Sequence, residues 1–162
     1  MSASRSLLLA AWVAALVTLH FTLRPFLGWR VQADFLVIAL MLVAVRSRPA
    51  VAAVVGLVIG MATDSLSPAT FGAGALALTV VGFAASRLKA VFFAENLALN
   101  GIFIFAGKWL FDAVYVFAAR STHGPALAMQ LAVWSVLAAG LTAVVGLAVL
   151  AWSRPPASRL RA

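Results

Sequence analysis

Long apolar runs, interrupted at intervals by one or two charged residues, dominate this 162-residue sequence. Hydrophobic residues make up 65% of the chain and charged residues only 10%, whereas an average soluble protein is about 25% charged. A soluble domain of this length does not need so much apolar surface, so the lipid bilayer must serve as its solvent. We therefore predict an all-α polytopic membrane protein in which each charged residue needs its own explanation.

Proline, glycine and charged residues divide the sequence into six predicted transmembrane helices. These helices are Leu7–Leu23, Asp34–Arg46, Pro49–Ser65, Phe71–Ser86, Phe92–Ala119 and Ala126–Trp152. The apolar part of the second, residues 35–45, would span about 16 Å, whereas a bilayer core is about 30 Å thick. This helix must extend into its flanks, lie in a thinned bilayer, or depend on neighbouring helices. Residues 1–153 are predicted to form one membrane domain, followed by a short basic cytoplasmic tail, residues 154–162.

The basic residues predict the orientation of the chain. If both termini are cytoplasmic, the inner flanks carry Arg5, Arg46, Arg48, Arg87, Lys89, Arg154, Arg159 and Arg161. The outer flanks then carry only Arg24, Arg30 and Arg120. Cytoplasmic loops of bacterial inner-membrane proteins are enriched in arginine and lysine in this way. The net charge of +8 therefore indicates orientation and not nucleic-acid binding, because the basic residues are scattered between apolar runs.

Three carboxylates and one ammonium fall in the outer half of the predicted bundle, namely Asp34, Asp64, Asp112 and Lys108, whereas Glu95 lies near the inner face. Lys108 and Asp112 are one helical turn apart, and we favour a structural ion pair over an ion relay. Asp34 begins the second helix, where a carboxylate is a favourable cap, whereas Asp64 ends the third, where the helix dipole disfavours it. Together they predict a polar cluster in the outer half of the bundle. It is either structural or an outward-facing cavity that binds a ligand or a partner's polar segment.

Small residues predict a second feature, a helix-packing face. Ala52, Gly56 and Gly60 recur every four residues along the third predicted helix and lead to Asp64. Such spacing allows a neighbouring helix backbone to approach closely. We assign Gly72, at the start of the fourth helix, to the same face. Packing within the chain is favoured over a binding face for another protein.

The sequence predicts neither an enzyme nor a cofactor or metal site. It contains no cysteine, and its two histidines, His20 and His123, lie far apart. No combination of serine, histidine and an acid can be placed at one membrane depth. His20 is predicted to be a packed or interfacial residue and not a ligand.

Short motifs in the middle of the chain, about residues 33–87, resemble those of one protein family. They are Ala33-Asp34-Phe35-Leu36, Arg46-x-Arg48, Gly56-x-x-x-Gly60-x-x-x-Asp64 and Phe71-Gly72-x-x-Ala75-Leu76, with Gly82 after them. These motifs resemble the bacterial rod shape-determining protein MreD family. Ala33 departs from that pattern, which often has proline there; the departure weakens a fixed turn without altering the aspartate's role.

The resemblance implies a scaffold subunit of the cell-elongation machinery in the bacterial inner membrane. Its implied partners are MreC, a protein with a single span, MreB and the RodA–PBP2 synthase in the wider complex, and membrane lipid. The implied role is to support lateral peptidoglycan synthesis and rod shape. The family is also thought to resemble the substrate-binding (S) subunits of energy-coupling-factor transporters in fold. The alternative function is therefore the substrate-binding subunit of such a vitamin transporter.

Overall fold

A computed structural model of the chain describes residues 3–23, 33–92, 97–120 and 124–153. Within them the chain forms six helices and no β-strand. Helices α1 to α5 are Ala3–Leu23, Phe35–Arg46, Pro49–Asp64, Ala73–Phe92 and Leu97–Ala119. Helix α6 comprises α-helical Pro125–Met129, a π-helical turn Gln130–Trp134 and α-helical Ser135–Ser153. Arg24, Arg30 and the tail, residues 154–162, lie outside the described residues, so the predictions for them are not addressed.

The helices agree with the predicted all-α architecture, and each helix overlaps a predicted segment. The fifth prediction, Phe92–Ala119, begins too early, because Phe92 is the last residue of α4 and α5 is Leu97–Ala119. The fourth prediction, Phe71–Ser86, is wrong at both ends, because α4 begins at Ala73 and continues to Phe92. Lys89 therefore lies within the helix and does not terminate it. Its ammonium donates a hydrogen bond to the Ser47 carbonyl oxygen at 2.6 Å, since a long basic side chain can reach a polar atom while its backbone stays helical.

Two of the described helices, Ala98–Ala119 and Pro125–Trp152, are long and apolar enough to cross a membrane. Three shorter apolar segments accompany them: Ala10–Thr22, Phe35–Arg46 and Pro49–Asp64. This set of helices fits a membrane protein, as the hydrophobic composition predicts.

Helix α2 lies at the centre of the bundle. Its residues 36–42 are all buried, and it packs against α1, α3, α4, α5 and α6. Twelve residues extend only about 18 Å, so α2 could not cross a bilayer core by itself. Of the three explanations for a short second helix, the structure supports dependence on neighbouring helices.

Helices α3 and α4 form the closest pair, and the predicted small residues explain why. Ala52, Gly56 and Gly60 are all buried. A Cβ atom at position 56 would overlap the Leu78 carbonyl oxygen, and one at position 60 would overlap the Ala75 backbone. The two helix backbones are therefore in direct contact. This part of the predicted face packs within the chain.

The connections between helices separate basic from acidic residues. Only Ser47 and Arg48 join α2 to α3, so these helices are antiparallel. The hydroxyl of Ser86, in α4, donates a hydrogen bond to the Ser47 carbonyl oxygen at 2.7 Å. This contact places the end of α4 beside the α2–α3 turn. Asp34 and Asp64 lie at the other ends of α2 and α3.

Candidate functional site

Four ionisable side chains meet inside the bundle, and we call them the charge cluster. They are His20 of α1, Asp34 at the start of α2, and Lys108 and Asp112 of α5. The Lys108 side chain is 8% exposed, and those of Asp34 and Asp112 are 13% and 15% exposed. Charged groups are almost never buried to this degree unless they are paired. Here they are paired with one another.

The ammonium of Lys108 is the centre of the charge cluster. It donates one hydrogen bond to Asp34 Oδ2 at 3.2 Å and another to Asp112 Oδ1 at 2.5 Å. The centroid of the Phe111 ring lies 4.7 Å from the same nitrogen. Two carboxylates and a ring face therefore replace the water that the ammonium loses on burial. The structure brings Lys108 and Asp112 together as the sequence predicts and adds Asp34 as a second partner.

Asp34, at the start of α2, contacts residues of three other helices, α1, α5 and α6. Its Oδ1 caps α2 by accepting hydrogen bonds from the backbone N–H groups of Leu36 and Val37, at 3.1 and 3.3 Å. His20 Nδ1 lies 3.8 Å from the same oxygen. The backbone N–H of Asp34 donates to the hydroxyl of Thr142, in α6, at 3.1 Å. Asp34 therefore caps α2 and is at the same time a member of the polar cluster, as the sequence predicts for each role.

The charge cluster lies near the middle of α5 and not at its end. Lys108 is the twelfth residue of this 23-residue helix. Because Asp34 begins α2 beside Lys108, α2 runs alongside only one half of α5. Twelve residues, about 18 Å, are enough to cover that half of α5.

The π-helical turn of α6 faces α5 next to the charge cluster. The indole N–H of Trp109 donates a hydrogen bond to the carbonyl oxygen of Leu131, within this turn, at 3.2 Å. Ser135, the first residue after the turn, is buried beside the Asp112 carboxylate. A π-helical turn inside an α-helix frequently marks a functional position. Here it brings α6 against the residues that flank Lys108.

Asp64 is also buried but does not pair with Lys108. Its carboxylate accepts hydrogen bonds from the backbone N–H groups of Gly72, Gly74 and Ala75, at 2.9, 3.2 and 2.9 Å. It therefore caps the start of α4, whose dipole stabilises the negative charge. Gly72 has a φ angle of +93°, which favours glycine. Gly72 thus belongs to this turn and not to the packing face that the sequence suggests.

The geometry of the charge cluster suits it to holding helices together. Its contacts connect α1, α2, α5 and α6, and the carboxylates of Asp34 and Asp112 both bind Lys108. Removing one member of such a buried set leaves a charge without compensation. The chemical consequence is a fixed arrangement of four helices around a polar centre.

The sequence identifies three members of the charge cluster and misses the contacts around them. It predicts a packed or interfacial role for His20, although this residue lies in the last turn of an apolar helix, at the predicted level of Asp34. Thr142 gives no signal, since a single threonine in an apolar run is unremarkable until the helix packing is known. For Asp64 the sequence leaves a place in the polar cluster and a solvated position at the interface open, and its burial and three backbone partners depend on the turn that follows it.

A comparison with protein families gives a match over most of the chain. The family model described as rod shape-determining protein MreD matches residues 2–138. The matched region contains all four members of the charge cluster and the capping residue Asp64. No curated protein sequence and no solved structure matches the chain.

Proposed function

The chain belongs to the MreD family of rod shape-determining proteins, and from this premise we propose that it is a scaffold subunit of the cell-elongation complex. In this role it binds MreC in the bacterial inner membrane and supports lateral peptidoglycan synthesis, together with MreB and the RodA synthase. It has no enzymatic activity of its own. The charge cluster carries the proposal, because its buried groups bind one another and hold four helices in a fixed arrangement.

The use of the polar groups favours a scaffold over a solute-binding transporter subunit. A solute-binding subunit needs several polar side chains that converge on a bound molecule. In the described part of the chain, the carboxylates of Asp34 and Asp112 converge on Lys108 instead. The Asp64 carboxylate binds backbone N–H groups. These carboxylates therefore stabilise the bundle from within. A partner helix would bind the exposed apolar surface of the bundle instead.

We also propose that six helices cross the inner membrane and that both termini are cytoplasmic. Two helices are long and apolar enough to cross without help. The short α2 covers only part of the bilayer core, but its neighbours surround it, so its ends need not reach the bilayer surfaces. Arg46, Arg48, Arg87 and Lys89 belong to the end of the bundle that this orientation places in the cytoplasm, which agrees with the bias of basic residues toward that side.

Cysteine labelling tests the orientation. The chain contains no cysteine, so an introduced cysteine is the only thiol that the reagent can label. Ser67, in the α3–α4 turn, and Ala50, at the start of α3, are both exposed. A membrane-impermeant maleimide is expected to label the Ser67→Cys variant in intact spheroplasts and the Ala50→Cys variant only after membrane disruption. Labelling of both, or the reverse pattern, would contradict the proposed orientation.

The surface available to MreC is apolar and is divided among several helices. Val54 and Val58 of α3 are 59% and 61% exposed. Ile102 and Phe117 of α5 are 56% and 63% exposed, and Val144 of α6 is 66% exposed. Both lipid and a single-span partner can contact such an apolar surface. Lipid would contact every exposed face, whereas a single-span partner would contact only one of them.

Photo-crosslinking in cells tests MreC binding directly. A photoreactive phenylalanine analogue replaces each of the five exposed residues in turn, and Leu78, which is buried, provides the matched control. We expect MreC adducts from neighbouring positions on one face, with none from the remaining faces or from position 78. Stable variants that give no adduct at any position would refute the proposal. Equal adducts from every face would exclude a defined binding surface.

A further inference from the structure

Four basic side chains gather at the end of the bundle opposite the charge cluster, and we call them the basic patch. They are Arg46, Arg48, Arg87 and Lys89. The carbonyl oxygen of Ser47 joins the two segments that carry them, because it accepts hydrogen bonds from both the Ser86 hydroxyl and the Lys89 ammonium. Arg46 and Arg48 flank Ser47 in the sequence, and Arg87 follows Ser86. Basic residues from two separate segments therefore lie at the same end of the bundle.

The basic patch has no counter-ion in the described part of the chain. The ion pairs between residues 3–23, 33–92, 97–120 and 124–153 all belong to the charge cluster. Arg46, Arg48 and Arg87 are exposed. Neighbouring like charges repel one another, so a bound anion would relieve an unfavourable concentration of positive charge.

An exposed apolar wall adjoins the basic patch. The guanidinium carbon of Arg87 lies 5.4 Å from the centroid of the Phe83 ring, and Phe83 is 45% exposed. Leu88 of α4 and Val51 of α3 are also about half exposed. A ligand at this position would meet positive charge at one end and apolar side chains at the other.

We infer that the basic patch binds the phosphate headgroup of an anionic phospholipid, whose acyl chains lie along the exposed wall of α3 and α4. Arginine guanidinium groups match phosphate geometry, and basic clusters at the cytoplasmic membrane surface attract anionic lipids. An acidic protein segment would satisfy the charges of the patch but not its apolar wall. The inference rests on the proposed orientation and is independent of MreC binding.

Native mass spectrometry of the full-length chain in a neutral detergent, with cardiolipin as the probe, tests this inference. The wild-type chain is expected to retain cardiolipin and not phosphatidylcholine. Combining Arg48→Gln with Arg87→Gln should reduce the cardiolipin-bound fraction about tenfold, since each basic residue contributes to the attraction. Arg120→Gln is the matched control. It removes an exposed arginine that directly follows the C-terminal end of α5, and it should leave cardiolipin retention unchanged.

Three outcomes would overturn the inference. They are undiminished cardiolipin retention by the double variant, an equal loss in the Arg120→Gln variant, and equal retention of phosphatidylcholine. Millimolar inorganic phosphate is expected not to displace the lipid; displacement would identify a simple phosphate site instead. Tryptophan fluorescence establishes that each variant is folded. If the double variant loses cardiolipin but MreC is still crosslinked normally, the lipid site is supported. If cardiolipin is retained normally but no MreC is crosslinked, only the proposed function is refuted.

Discussion

Replacing Lys108 with methionine is expected to lower the free energy of unfolding by about 3–5 kcal/mol, which is the typical cost of removing one partner from a buried ion pair. The substitution leaves the carboxylates of Asp34 and Asp112 buried beside each other without the ammonium that binds both. The loss is measured by titrating the detergent-solubilised chain with sodium dodecyl sulfate. Its five tryptophans report unfolding by their fluorescence.

A triple variant separates the loss of charge compensation from the loss of packing. It combines Lys108→Met with Asp34→Asn and Asp112→Asn, so that no uncompensated carboxylate remains. Asparagine at position 34 can still cap α2, and replacing a whole buried ionic set is often nearly neutral. We expect the triple variant to regain most of the stability that the single variant loses. A single variant as stable as the wild type, or a triple variant no better than the single one, would contradict the role of the charge cluster.

The second large effect is expected at Asp64, where alanine should cost about 3–5 kcal/mol because buried donors lose their acceptor. The backbone N–H groups of Gly72, Gly74 and Ala75 all bind this carboxylate. Without it, the first turn of α4 loses its cap and the α3–α4 turn loses its attachment to α3. The same detergent titration measures the change in stability.

Two further substitutions make the Asp64 result specific. Asp64→Asn keeps one acceptor oxygen and should lose less stability than alanine. Thr63→Ala is the matched control, because the Thr63 hydroxyl binds only carbonyl oxygens of its own helix; it should change stability by about 0.5 kcal/mol or less. If alanine at position 64 were no more damaging than alanine at position 63, the capping role would be wrong.

Some helix boundaries could be predicted because a residue with a clear physical effect lies there. Pro49 favours the first turn of α3, and the Ser67-Pro68 pair interrupts the chain between α3 and α4. Charge was a poorer boundary signal. Arg87 and Lys89 lie within α4, since a long basic side chain can leave the apolar region without ending the helix.

Membership of the charge cluster was only partly predictable. Lys108 and Asp112 are neighbours on one helix, so their spacing alone brings them together. The contact of Asp34 with Lys108 and the position of His20 depend on how α1, α2 and α5 pack, which a one-dimensional pattern does not contain. The environment of Asp64 was also not predictable from the sequence pattern. Its helix-end position suggested an unfavourable dipole interaction, but the start of α4 supplies a favourable one.

The two contacts of Lys108 differ in how much of the fold they require. Lys108 and Asp112 meet within a single turn, so the ammonium keeps one counter-ion even without contacts from other helices. A paired charge is less costly to insert than an isolated one. Asp34 is 74 residues away in the sequence and can reach Lys108 only when α2 and α5 meet. The local pair thus depends on α5 alone, whereas the distant contact requires the assembled bundle.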